Sequence, residues 1–384
     1  MADTLITAQL DLPTSWRHGR GLAAQAGVFV RQLKATRALV LTDPILNNSG
    51  VLTPVTSSLT AHDIPFIVCD AVDREPTVLL FDELLSRLDL SSFDVIIAVG
   101  GGSVLDVAKG IALIASFGGH IRDYAGHGKV PGIPRIPTIA IPTTAGTGSE
   151  ISDGVVLIDE ERQTKFLVLS KKICPTLALT DPLLTITMPA KVTACSGMDA
   201  LVHAVESYLS KDANIATELF SLRAIGLLSE NIRQAYNDGS DITARENMQL
   251  GSTLAMMAGM NAYLGLCHAM AMPLCALYHI PHGQVCGLLL PHILEYNAAV
   301  CRKKIATVFG VISAKGSPPE LTSGLAQVER LIADLGLSAR LGELGYTASH
   351  MDTIVEATLA SAQCPTNPRN PSAEDIAAIV ANMI

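Results

Sequence analysis

Aromatic residues are scarce in this chain, at 4% of 384 residues, with a single tryptophan. The interior must therefore be packed mainly from Ala, Leu, Ile and Val rather than from stacked rings. Charge is thin as well: 16% of residues are charged and the formal net charge is −9. No basic stripe is present, which argues against a general nucleic-acid surface. No run of like charges marks an interaction tail. The eight cysteines include no Cys-x-x-Cys pair. In a chain of this size they read as free thiols of a reducing compartment, and the cytoplasm is the expected location. Met1 to Asp11 lacks a basic start followed by an apolar run, so no secretory leader is expected there. Thr253 to Tyr278 is apolar enough to mimic a membrane span, but Asn261, His268 and Pro273 interrupt it and basic flanks are missing. No membrane association is expected. Internal repeats and low-complexity segments are absent.

Apolar residues make up 49% of the chain, enough to bury two cores of ordinary size. The first half alternates short β-branched runs with helical patterns. Arg37 to Thr42, Pro65 to Cys69, Phe93 to Val99 and Thr138 to Ile141 read as strands, and Thr77 to Leu88 as a helix. Near-continuously apolar strands separated by helices predict a parallel sheet covered on both faces. Beyond Asp181-Pro182 the texture changes: Ala, Leu and Met recur at helical spacing, as in Ala213 to Ala235 and Ala244 to Met260. The expected organisation is an α/β domain over residues 1–182 and an all-helical domain over 183–384. Pro365 to Pro371 reads as a loop before a last helix.

Two glycine-bearing loops follow strands in the first half. In Val99-Gly-Gly-Gly-Ser-Val-Leu-Asp-Val-Ala-Lys-Gly110, a buried strand runs into three glycines and then a helix. Glycines permit close backbone approach to a phosphate, and a helix N-terminus offers free N–H groups at the positive end of its dipole. The spacing is neither that of G-x-G-x-x-G nor that of a P-loop. The second loop is Pro142-Thr-Thr-Ala-Gly-Thr-Gly-Ser-Glu150, whose hydroxyls suit hydrogen bonds to a pyrophosphate or ribose. Each loop taken alone is equally a tight structural connector. Together, at the carboxyl ends of parallel strands, they favour a dinucleotide.

In the helical half, ionisable groups sit where charge is rare. Asp199 and His203, at i and i+4, share one helical face. Asn247 to Leu294 contains no Asp, Glu, Lys or Arg, yet holds His268, His279, His282 and His292. A buried carboxylate needs a partner or a cation. One reading is therefore a nitrogen–oxygen site for a divalent metal such as Zn2+ or Fe2+. The other is a structural Asp199–His203 pair with separately satisfied histidines. Spacing alone leaves both open.

The motifs Gly-Gly-Gly-Ser-x-x-Asp, Pro-Thr-Thr-Ala-Gly-Thr-Gly-Ser-Glu, Gly-Met-Asp-Ala-Leu-x-His-Ala-x-Glu and Tyr-His-Ile-Pro-His-Gly, in this order, resemble the iron-containing (group III) alcohol dehydrogenase family. The likeness runs nearly end to end. It is strongest to the branch with ethanolamine-utilisation alcohol dehydrogenases, lactaldehyde reductase and propanediol dehydrogenase. It implies the iron alcohol dehydrogenase fold, shared with dehydroquinate synthase: a Rossmann-like dinucleotide-binding domain, an all-α domain and an active site in the cleft between them. It implies metal ligation by Asp199, His203, His268 and His282, with Fe2+ favoured and Zn2+ an alternative. NAD is implied on Gly100, Gly101, Gly102 and Ser103, with Asp106 nearby, Thr143, Thr144, Thr147 and Ser149 from the second loop, and Lys165 and Leu183. Asp43 matches the acidic residue that accepts adenosine ribose hydroxyls and repels a 2′-phosphate, so NAD is preferred to NADP. A homodimer or a multiple of dimers is implied too.

The chain also departs from that pattern. Many members carry a second histidine four residues after the first metal histidine, often given a proton-relay role; here that position is Met272. The segment Ala258 to His268 also runs a few residues shorter than in close relatives. The implied reaction is reversible oxidoreduction of a small alcohol and its aldehyde or ketone, with the metal as Lewis acid. With Met272 unable to relay a proton, water, the cofactor ribose or His279 must serve, and His279 is equally a structural candidate. Reduction of a larger or charged carbonyl compound is the nearest alternative. A metal- and NAD-dependent lyase or synthase is a further one, although the helical half lacks the Arg/Lys cluster a phosphorylated sugar acid needs. A nucleotide-free hydrolase would leave both glycine loops unexplained.

Overall fold

The β-branched runs of the first half form strands, as their composition requires. The computed structural model describes residues 8–162, 164–313, 320–337 and 340–384. Most of the segment read for a leader therefore lies outside the described residues. Two compact units are present: Leu12–Thr187, and Met188–Ile384 together with the N-terminal residues up to Asp11.

The Leu12–Thr187 unit contains, in chain order, β1 (Ser15–His18), α1 (Ala26–Gln32), β2 (Ala38–Leu41), α2 (Pro44–Ser49), α3 (Thr53–Ala61), β3 (Phe66–Cys69), α4 (Val78–Arg87), β4 (Val95–Gly100) and α5 (Gly102–Phe117). It continues with β5 (Gly126–His127), β6 (Thr138–Pro142), β7 (Gly154–Asp159), β8 (Thr164–Leu169) and β9 (Leu177–Thr180). Six strands form one sheet in the order β1-β9-β6-β4-β2-β3, every neighbouring pair parallel. Strand alternation divides their side chains between two cores. Leu39, Leu41, Ile96, Ala98 and Ala140 join one; Ala38, Val40, Val95, Ile97, Val99, Ile139 and Ile141 join the other. Both faces are thus covered, which is why these strands are apolar without a break.

The chain leaves β2 for β3 on one side, then returns to add β4, β6 and β9 on the other. The order reverses between β2 and β4, the place where open α/β sheets bind nucleotides. A second sheet, β5-β8-β7, pairs β7 with β8 antiparallel. Its strands, and β1 and β9, were not among those expected from the sequence, although β7 alternates half-buried and buried positions.

The second unit is helical as expected: α6 (Ala190–Leu209), α7 (Ile215–Asn237), α8 (Ile242–Ala262), α9 (Leu266–Tyr278), α10 (His282–Ile312), α11 (Leu321–Asp334), α12 (Met351–Leu359) and α13 (Ala373–Asn382). Every residue of α6 from Gly197 to Leu209 is buried, although the run contains Asp199, His203 and Glu206. The apolar stretch that mimics a membrane span is divided between α8 and α9, which meet at a bend of 105°. Among the described residues no single helix is long and apolar enough to cross a membrane.

Candidate metal centre and cofactor loops

Helix α6 places Asp199 and His203 one turn apart, both about nineteen-twentieths buried, at 4% and 5% exposure. His268 enters from the first turn of α9 and is 3% exposed. His282 is the first residue of α10 and is half-buried. Three imidazoles converge on one carboxylate oxygen. Asp199 Oδ1 lies 3.5 Å from His268 Nε2, 3.6 Å from His282 Nε2 and 3.9 Å from His203 Nε2. The rings of His203 and His268 stack, with centroids 4.5 Å apart.

Asp199 Oδ1 and His268 Nε2 are buried and have no hydrogen-bond partner. Stranding two such polar atoms costs roughly 1–3 kcal/mol each. A cation removes that cost, and the spacings suit one: bonds of about 2.1 Å in a tetrahedral shell put ligand atoms about 3.4 Å apart. The donor set of three imidazoles and a carboxylate fits a divalent transition metal. The electrostatics agree. Burial alone would raise the Asp199 carboxyl, but the neighbouring imidazoles, His203 first, hold it well below the usual carboxylate range. Burial pushes the His203 imidazole down to about 4, leaving it neutral and ready to donate a lone pair at neutral pH.

Two further residues belong to this centre and were not singled out from the sequence. Glu206, two turns beyond Asp199 on α6, is 4% exposed. Its carboxylate accepts from His268 Nδ1 at 2.6 Å and from the Cys267 amide at 2.6 Å. It closes the Gly-Met-Asp-Ala-Leu-x-His-Ala-x-Glu motif, so the signal was present without a role attached. Cys286 brings its donor atom within 4.8 Å of those of Asp199, His268 and His282. Close helix approach makes the cluster feasible: a Cβ on Gly283 would lie 1.8 Å from the Cys195 carbonyl oxygen of α6. His279 ends α9 in the left-handed region, at φ 54, with its side chain exposed. Met272 is half-buried one turn after His268.

Most of the residues expected to hold a dinucleotide lie at or just after the carboxyl ends of the parallel strands of the other unit; Asp106 lies within α5, and Lys165 lies instead on β8 of the smaller sheet. Gly100 ends β4, Gly101 caps α5, and Gly102 and Ser103 form its first turn. None of the three glycines has a positive φ; close approach explains Gly100 and Gly102, whereas a Cβ on Gly101 would make an ordinary contact with Thr144 at 3.5 Å. A Cβ on Gly102 would stand 2.9 Å from the Thr147 side chain of the second loop. The loops are joined by the Thr143 amide donating to Gly100 O at 3.0 Å. Thr143 is buried, Thr144 half-buried and Thr147 exposed.

Asp106 lies behind this surface. Its carboxylate accepts from Ser149 Oγ and from the Val156 amide. Lys109, buried and absent from the sequence expectations, donates to Ser149 Oγ at 2.7 Å, Ser152 Oγ at 3.0 Å and Gly154 O at 2.9 Å. Together they pin α5 to the second loop and to β7. Asp43 follows β2 and caps α2, accepting from the Leu46 amide at 2.8 Å. Leu183, after β9, is 44% exposed. Lys165 on β8 pairs with Glu75 at 2.9 Å.

A switch-point dinucleotide surface in one unit and a buried carboxylate–imidazole cluster in the other define a metal- and nucleotide-dependent class of enzyme. The chain belongs to the iron-containing alcohol dehydrogenase family. Residues 13–182 match the family described as iron-containing alcohol dehydrogenase, and residues 193–384 match its C-terminal part. The chain is 37% identical over 367 residues to 1,3-propanediol dehydrogenase of Klebsiella pneumoniae, covering 94% of this chain and 95% of that one. It is 34% identical to the solved structure of a 1,3-propanediol oxidoreductase, with a TM-score of 0.94 over 98% of this chain and 100% of the other. It is 26% identical to sulfoacetaldehyde reductase from Bifidobacterium kashiwanohense, solved with NAD+, with a TM-score of 0.88 and 98% of each chain covered.

Proposed function

We propose that this chain catalyses reversible hydride transfer between NAD(H) and a small primary alcohol–aldehyde pair, with a divalent metal held by Asp199, His203, His268 and His282. The observation that carries the reading is the stranded pair Asp199 Oδ1 and His268 Nε2, two buried polar atoms whose surroundings suit a cation. A bound Fe2+ or Zn2+ supplies Lewis acidity toward the substrate oxygen, and NAD supplies the hydride acceptor.

The chain's own residues do the rest. Glu206 holds His268 with Nε2 turned toward Asp199. Gly101 and Gly102 keep the α5 N-terminus bare, so that its N–H groups can receive a pyrophosphate. Thr144 and Thr147 offer hydroxyls to the phosphates and ribose, and Lys109 fixes their loop through Ser149. Asp43 accepts ribose hydroxyls with its remaining carboxylate capacity and repels a 2′-phosphate. Leu183 presents an apolar face to a flat ring, and Lys165 approaches the nicotinamide ribose. Met272 cannot relay a proton, so His279 is the side chain assigned to carry it. A homodimer in the cytoplasm remains the expected setting, and sedimentation of the purified protein tests the assembly.

The deciding experiment follows NADH absorbance with a panel of alcohols on protein reconstituted with Fe2+ or Zn2+. NADH formation with a small primary alcohol is expected. No turnover with any alcohol, together with no NADH binding, overturns the assignment.

A further inference from the structure

We propose that Cys286 is a sulfur ligand of the metal centre, which makes it a mixed nitrogen, oxygen and sulfur site that selects Zn2+ over Fe2+. The inference rests on the metal reading above and concerns a residue which that reading does not use. Cys286 lies on α10 one turn after His282, and so on the same helical face. Its Sγ is 3.5 Å from His282 Nε2. Zinc–sulfur bonds of about 2.3 Å and zinc–nitrogen bonds of about 2.1 Å place such a pair about 3.6 Å apart in a tetrahedral shell.

The donor atoms of Asp199, His268, His282 and Cys286 all lie within 4.8 Å of one another. His203 stands at the margin, its Nε2 3.9 Å from Asp199 Oδ1. The stranded atoms Asp199 Oδ1 and His268 Nε2 point independently to a cation in the space that the sulfur lines.

The chemistry of the extra donor sets the preference. On coordination the thiol proton leaves to solvent and a metal–sulfur bond forms, with no change of oxidation state. Thiolate is a soft ligand and suits Zn2+, whereas a shell of imidazole and carboxylate alone accepts Zn2+ and Fe2+. The added negative charge also lies beside Asp199, so that the two anionic ligands balance the charge of a divalent ion.

X-ray absorption at the zinc edge of the metal-loaded full chain tests the proposal, alongside the electronic spectrum of the Co2+-substituted protein. The expected result is one sulfur scatterer at about 2.3 Å per zinc and a near-ultraviolet sulfur-to-cobalt charge-transfer band. Both are lost in Cys286→Ser and kept in Cys275→Ser, while Cys286→Ser still takes up one metal ion per chain. In competition between equal Fe2+ and Zn2+, the zinc share falls in Cys286→Ser. A purely nitrogen and oxygen shell in the unmodified protein overturns the proposal even if the serine variant does not fold. A sulfur signal that survives Cys286→Ser also overturns it. Failure to bind any cation overturns the metal reading as well, which separates the two failures.

Discussion

Glu206 Oε2 sits 2.6 Å from His268 Nδ1, and this contact decides which nitrogen of His268 is left to face Asp199. With Nδ1 engaged, Nε2 turns toward Asp199 Oδ1 at 3.5 Å. Carboxylates behind a metal histidine fix the tautomer and raise the basicity of the free nitrogen. Glu206→Ala is expected to weaken metal affinity by about 10- to 100-fold. Titration of the metal-free protein against a competing chelator measures this. Unchanged affinity in a folded variant would remove Glu206 from the centre.

Gly283 gives a sharper test of the same geometry. The carbonyl oxygen of Cys195 occupies the space where any side chain would begin, 1.8 Å from the Cβ position. Gly283→Ala must push α10 away from α6 and carry His282 with it. Overpacking of this kind costs about 1–3 kcal/mol. The expected outcome is a lower denaturation midpoint together with loss of bound metal. Retention of full metal content at normal stability would mean that the two helices separate freely without disturbing the cluster.

Asp43 performs two tasks that one substitution can separate. Its carboxylate caps α2 through Leu46 and is assigned to reject a 2′-phosphate. Asp43→Ala would lose the cap as well as the charge, at a cost of about 1 kcal/mol. Asp43→Ser keeps a capping oxygen and removes only the charge. The expected result is a lower KM for NADP, a higher KM for NAD and an unchanged denaturation midpoint. An unaltered ratio of NAD to NADP efficiency would refute the role.

The elements legible in the sequence were those whose pattern has a single physical cause. The strands at Ala38–Leu41 and Val95–Gly100 are apolar on both faces because both faces are covered, and their short length with β-branched residues marks such a run as a strand. The β7–β8 hairpin was not expected from the sequence: along β8 only Val168 is buried and most other positions are half-buried, so no period-two alternation marks that strand. Asp199 and His203 announced themselves by their spacing in an apolar helix. Glu206 lay in the same motif, but its task depends on α9 arriving beside α6, a tertiary fact. Cys286 was hidden for a different reason: a cysteine in an apolar helix reads as a small core residue until its neighbours are known. Lys109 likewise reads as an ordinary helical lysine, and only the second loop folding over α5 turns it inward.

Acid stability tests the smaller sheet. Arg122 donates to both carboxylate oxygens of Asp159 at 2.8 Å, and these hydrogen bonds hold the Asp159 carboxyl below its ordinary value. A depressed folded-state pKa means that the contribution is complete above the unfolded value, about 3.9. It disappears as the pH falls through the lower folded value. The stability gap between the natural chain and Asp159→Asn should therefore be full near neutrality and shrink as the solution is made strongly acidic. Denaturant titrations at a series of pH values measure it. A gap that widens on acidification would reverse the assigned sign.

His279 carries a backbone role that a simple alanine substitution would confuse with its chemistry. It ends α9 at φ 54, in the left-handed region, where a residue with a Cβ is strained by about 1–2 kcal/mol. His279→Ala removes the imidazole and keeps that strain, whereas His279→Gly removes both. If the imidazole moves the substrate proton, both variants should lose at least about tenfold in turnover, since general acid–base groups contribute about 100-fold or more. Metal content should be unchanged in each. Added imidazole should restore part of the rate in the glycine variant, where the vacated space is larger. If His279 serves only as the helix terminus, His279→Gly should turn over normally and unfold at a higher denaturant concentration than His279→Ala. The pair of variants thus separates proton transfer from chain reversal at the step that delivers His282 to the metal cluster.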